Sequence, residues 1–184
     1  MRKLVTLLAS ATLAGGLGLM AQNGRADRMS STTGTPDAAF VTKAAQGGMA
    51  EVKLGQLAKD HGQSQAVKDF GQRMVDDHTK ANDQLKDLAA KKNFTLPTDV
   101  DAKDQATYDR LSKLNGAAFD RAYMRDMVND HKKDVAEFEH EANSGKDPDV
   151  KAWAGQTVGT LKEHLSMAEK TYAEVQHGGK SSGR

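Results

Sequence analysis

Two pentads in the chain, "MVDDH" at residues 74–78 and "MVNDH" at residues 127–131, each close on a histidine. Apolar residues around them recur in alternating steps of four and three, the spacing of the face a helix turns toward a core. His78 and His131 fall on that face, and the same steps elsewhere place Glu51 and His164 likewise. Each of the four is the one ionisable residue near the middle of a stripe that is otherwise apolar or small, threonine apart. A buried polar group without a partner costs roughly 1–3 kcal/mol, against a typical net stability of about 5–15 kcal/mol. Four of them must therefore satisfy one another, bind water or bind something else. Three imidazoles and a carboxylate are a sensible ligand set for one transition-metal ion, zinc, iron or copper. The alternative is a closed hydrogen-bonded layer of the same residues, which makes the protein a non-enzymatic structural or interaction module of the cell envelope.

The neighbours of these residues sharpen the chemistry. Asp134 lies three residues past His131 and Asn82 four past His78, positions from which they are expected to orient the rings. Met74, Met127 and Met167 each lie one helical turn from a ring. Thioether beside imidazole suits Cu(I), whereas the plainer role for methionine is to fill an irregular core. "EFEH", residues 137–140, has a Glu-x-x-His spacing, but it occurs once and flanks its stripe. No nucleophile triad, phosphate loop or dinucleotide fingerprint is present.

Four helices must carry these side chains. Thr35-Pro36 reads as an N-cap followed by proline at the first helical position, opening a helix from Asp37 to about His61. Ser64 caps a second to about Asn93, and "FTLPTDVD" breaks it. A short helix over residues 102–114 precedes a long one from about Ala117 to Asn143. Asp147-Pro148 opens the last, which runs to about Gln176. The inner stripes are Phe40, Ala44, Gly47, Glu51, Leu54, Ala58 in the first, and Val67, Gly71, Met74, His78, Ala81, Leu85, Leu88 in the second. The third long helix carries Met124, Val128, His131, Val135, Phe138, Ala142, and the fourth Val150, Ala154, Thr157, Leu161, His164, Ala168. Strand signals are absent, and the connection between the second and third long helices is long enough to cross a bundle. The expected fold is all-α, a ferritin-like four-helix bundle with a long crossover containing a short extra helix.

Depth along the rods agrees with a shared site. Glu51 and His78 lie about 11 and 15 residues from the turn near Gly62, an offset of about 6 Å at 1.5 Å per residue. Helical side chains lean toward their own N-terminus, which closes that gap. His131 and His164 are related in the same way about the turn near Gly145. Whether the two pairs share one layer depends on the crossover.

Composition limits the rest. The 184 residues contain no cysteine, so disulfides and thiolate ligands are excluded. Arg2 and Lys3 precede an uncharged, mostly apolar run, Leu4 to Ala21, and small residues reach Gly24 to Ala26, which reads as a secretory signal over 1–26. The expected organisation is then a linker at 27–36, the bundle at 37–176 and a disordered tail at 177–184. Export to the periplasm or medium follows from the signal. Its removal leaves 23 basic against 25 acidic residues, a near-neutral balance unlike a nucleic-acid footprint. No membrane span is expected in the mature chain, and the partner that the buried ligand set suggests is a metal ion.

Four segments, "FVTKAAQGGMAEVKLGQLA", "VKDFGQRMVDDH", "GAAFDRAYMRDMVNDH" and "VKAWAGQTVGTLKEHL", resemble the exported bacterial family catalogued as domain of unknown function 4142. The likeness extends over about Asp37 to Val175. It implies a ferritin-like fold and export, and places the family's recurrent Glu and His on Glu51, His78, His131 and His164. The family is often labelled a predicted outer-membrane protein, although nothing here reads as alternating barrel strands. The paired Glu-x-x-His helices of ferritin itself are missing, so ferroxidase chemistry is not implied.

Overall fold

A computed structural model describes residues 35–178. The predicted signal, most of the linker and the last six residues of the predicted tail lie outside them. Five helices make up the described chain: α1 (Pro36–His61), α2 (Gln65–Lys92), α3 (Ala102–Leu111), α4 (Gly116–Ser144) and α5 (Pro148–Gly178). The last helix therefore runs two residues past the expected boundary, through His177 and Gly178. None of these helices is long and apolar enough to cross a membrane.

The caps explain most helix starts. Thr35 accepts the Ala38 N–H at 3.1 Å, Asp101 accepts the Asp104 N–H at 2.7 Å, and Asp147 accepts those of Asp149 and Val150. Each satisfies a donor that the first helical turn leaves orphaned. Ser64 corrects the sequence reading, because its side chain makes no capping bond. Asp120, from α4, instead holds the turn just ahead of the helix, accepting the backbone N–H of Gln63 at 3.0 Å and of Ser64 at 2.8 Å. The opposite end has a matching latch: Asp37, in the first turn of α1, accepts the N–H of Lys146 at 3.0 Å and of Asp147 at 2.5 Å. Each hairpin turn is thus held by an aspartate from the start of the other hairpin.

These latches also settle direction. Helix α4 starts beside the end of α1, where the His61 ring donates to the Leu114 carbonyl at 2.7 Å. The α4–α5 turn lies beside the start of α1. Consequently α2 and α4 run parallel, as a crossover over residues 93–115 allows. The two hairpins α1–α2 and α4–α5 meet through α2 against α5 and α1 against α4, with α3 laid on α1 and α4. The result is a helical bundle.

Backbones touch where α1 meets α2. A Cβ on Gly71 would lie 2.7 Å from the Gly55 carbonyl oxygen and 2.8 Å from the Ala58 Cβ. Only glycine permits that approach, and it holds the two helices of the first hairpin at a close spacing two turns from His78. Every stripe residue expected to face inward is buried or half-buried. The core separates into two apolar clusters. One gathers Leu54, Leu57, Phe70, Met74, Phe119, Tyr123 and Met127 around the α1–α2 turn end. The other gathers Phe40, Val41, Leu85, Val150 and Trp153 toward the opposite end. Between them, on each long helix, falls the polar residue of the stripe.

Candidate functional site

All four polar stripe residues are buried: His131 and His164 completely, Glu51 to 1% and His78 to 8% exposure. Three of them converge. One nitrogen each of His78, His131 and His164 lies within 4.8 Å of the other two, and the ring centroids are 5.3–6.0 Å apart. The rings come from α2, α4 and α5, so the triad joins both hairpins in one layer.

Outer contacts fix two of the rings. His131 Nδ1 donates to the Met127 carbonyl one turn earlier at 3.0 Å, which leaves Nε2 as a bare lone pair. His164 Nε2 is 2.8 Å from Asp77 Oδ2, leaving Nδ1 bare, and Asp77 is held in turn by Arg73. His78 Nε2, His131 Nε2 and His164 Nδ1 are buried with no hydrogen-bond partner among the described residues. Asn82 and Asp134, expected to steer the rings, do not: among the described residues neither bonds to an imidazole. A helix carbonyl does so for His131 because its own Nδ1 reaches back one turn, and Asp77 does so for His164 because α2 packs on α5. Asn82 instead packs against Gly48, where a Cβ would lie 2.0 Å from its Oδ1.

Glu51 sits beside the triad, not within it. Its Oε1 is 4.0 Å from His131 Nδ1, the nitrogen already given to Met127, and both carboxylate oxygens lack a partner among the described residues. One oxygen of Glu51 groups within 4.8 Å with oxygens of Asp130 and Asp134, a grouping that the sequence reading missed. Only the i, i+4 spacing of the two aspartates on α4 hinted at it. Met74 and Met127 belong to the apolar cluster, consistent with packing. Glu137 and His140 of "EFEH" are exposed.

Burial sets the protonation states. Desolvation, reinforced by the neighbouring rings, holds His78 well below the ordinary imidazole value. Desolvation and His164 bring His131 down to about 4. His164 is lowered by burial, with Asp77 pulling the other way. All three are therefore neutral at pH 7, the form that ligates metals. Burial and then Asp130 and Asp134 raise Glu51 well above the usual carboxylate range, and burial, with Asp130 and Glu137, pushes Asp134 up to about 8.

These shifts oppose each other in pH. Below about 6.5 the unfolded chain binds protons that His131 refuses down to about 4, so the rings make stability rise with pH across that window. Asp134 is protonated when folded up to about 8 but ionised when unfolded above 3.8, so its contribution is lost as pH rises. Between pH 6.5 and 8 only the carboxylates still act. The metal-free protein is expected to lose stability there, by at most about 1.4 kcal/mol per pH unit for each such group. Thermal melts in chelator check this; a transition temperature that stays level, or a decline that Asp134→Asn leaves untouched, contradicts it.

A small cavity of about 50 Å³, lined in part by Asn82, Phe138 and Trp153, borders His78. Comparison with known proteins supplies fold and family. No curated protein matches the chain. Among solved structures, the crystal structure of a DUF305 fragment from Deinococcus radiodurans is similar, with TM-score 0.67 and 17% identity over 76% of this chain and 97% of that one; at that identity the likeness concerns the fold alone. A family model described as "Domain of unknown function (DUF4142)" matches residues 21–171, most of the sequence, and the chain belongs to that family.

Proposed function

We propose that the protein is an exported, ferritin-like four-helix bundle that carries one transition-metal ion on His78, His131 and His164, in a role in metal handling or envelope stress. The observation that carries the reading is the trio of buried, neutral imidazoles that converge within 4.8 Å, each with a nitrogen that no group among the described residues satisfies. Orphaned acceptors at this depth cost roughly 1–3 kcal/mol each, and an ion removes that cost. Nitrogen donors suit zinc, copper or iron, and three of them leave a coordination position for water or a small ligand. Glu51 is retained as a fourth candidate ligand, its Oε1 4.0 Å from the His131 ring. The ferritin-like assignment rests on parallel α2 and α4 with a long crossover between them.

The rival reading, a self-satisfied polar layer, requires Glu51 and the rings to bond one another. The 4.0 Å between Glu51 and His131, at a nitrogen already committed to Met127, argues against it. The test uses tag-free protein recovered from the exported fraction, where loss of residues 1–26 is expected. After incubation with zinc, copper or iron and dialysis, elemental analysis is expected to return one ion per chain. No uptake at neutral pH would leave the structural module.

A further inference from the structure

Asp130 and Asp134, the two aspartates beyond Glu51, have no part in that reading. Asp130 and Asp134 lie one turn apart on α4, and Glu51 reaches them from α1, with one oxygen from each within 4.8 Å of the others. Acidic residues gather on many surfaces without consequence. Glu51 differs, being 1% exposed with both oxygens unpartnered among the described residues, so that the deep wall of the group is a buried acceptor pair without a donor. The outer wall, Asp130 and Asp134, lines a cavity of about 260 Å³, to which Asp101 and Asp104 at the start of α3 also contribute. Three lysines line that cavity as well, but only Lys103 comes into ion-pair range of the three acids, at 3.9 Å from Asp130.

We propose that Glu51, Asp130 and Asp134 form a second cation site, separate from the imidazole triad, which takes a hard divalent cation of the manganese or calcium class. Oxygen-only donors favour such ions, whereas nitrogen donors favour zinc or copper. The two sites are therefore chemically distinct although Glu51 and His131 adjoin. Flexible, many-oxygen coordination also suits a site with one rigid buried carboxylate and two on a solvent-facing helix edge, because water completes the shell. The crossover acquires a purpose in this arrangement: it lays α3 where Asp101 and Asp104 can lend further negative charge.

The experiment is a Mn2+ titration of the tag-free protein at pH 7.5, followed by electron paramagnetic resonance of the free ion and by calorimetry. Wild-type protein is expected to bind one saturable equivalent with micromolar affinity. Asp130→Asn/Asp134→Asn is expected to weaken that binding at least thirty-fold while zinc uptake by the triad persists. His78→Ala/His164→Ala should do the reverse, losing zinc and keeping manganese. Circular dichroism establishes that each variant is folded. The wild-type titration stands alone if one is not: no saturable Mn2+ equivalent up to millimolar concentration overturns the proposal. Manganese binding that survives the double amide substitution in a folded protein overturns it too. Because each ion reports on its own site, failure of the carboxylate site and failure of the triad are told apart.

Discussion

His131→Ala is expected to abolish stoichiometric uptake of zinc, copper or iron, with affinity falling by at least 100-fold. His131, like His164, is fully buried, and it is locked by its bond to Met127, so no other side chain can rotate into its place. Altering a group that merely orients a ligand costs about 10–100-fold in affinity, and removal of a ligand should exceed that. The thermal signature separates this from general damage. Metal at a hundred times its Kd adds about 2.7 kcal/mol to the stability of the folded protein, a rise of roughly 5–10 °C for a domain of this size. In His131→Ala that rise should vanish, while the metal-free melting curve moves in either direction, since the variant loses packing and also an unsatisfied nitrogen. A folded His131→Ala that binds one ion as tightly as the parent would remove the basis of the proposed site.

Asp120→Ala should produce the largest loss of stability from a single exposed-looking position in the sequence. The carboxylate is 3% exposed and holds two backbone N–H groups at the α1–α2 turn, at 3.0 and 2.8 Å. Hydrogen bonds to a charged group contribute about 1.5–3 kcal/mol, and the helix dipole at the start of α2 adds a few tenths. The expected cost is about 2–4 kcal/mol, against about 1 kcal/mol for an average substitution. Asp37→Ala, at the other end of the bundle, should cost a similar amount, and the pair should add because the sites share no partner. Denaturant unfolding measures both; a loss below about 0.5 kcal/mol for Asp120→Ala would show that the latch contributes nothing. The latches matter to the site because His78 belongs to one hairpin and His131 and His164 to the other. Loosening either end should therefore weaken metal uptake along with stability.

Helix limits, inner stripes and the four polar interruptions could all be read from the chain. Each depends on interactions within about one turn: caps such as Thr35 and Asp147, the prolines after them, and the periodicity that shows Glu51 or His131 as an anomaly among apolar neighbours. Even the shared depth within each hairpin's pair followed from rise per residue and side-chain lean, whereas the meeting of the two pairs in one layer depended on the crossover. What lay beyond the sequence depends on faces that meet only after the hairpins associate. Asp120 and Asp37 look like ordinary surface acids until turns 56 to 110 residues away reach them. Asp77 stands beside His78 in the chain but serves His164, 87 residues on, because α2 packs against α5. Glu51 was expected among the rings, yet groups with Asp130 and Asp134, since where α1 sits against α4 decides which neighbour its carboxylate meets. Local hydrogen bonds and hydrophobic periodicity are written residue by residue and determined the rods. The partners of each buried charge are a property of the packing between rods, and only the tertiary structure decided them.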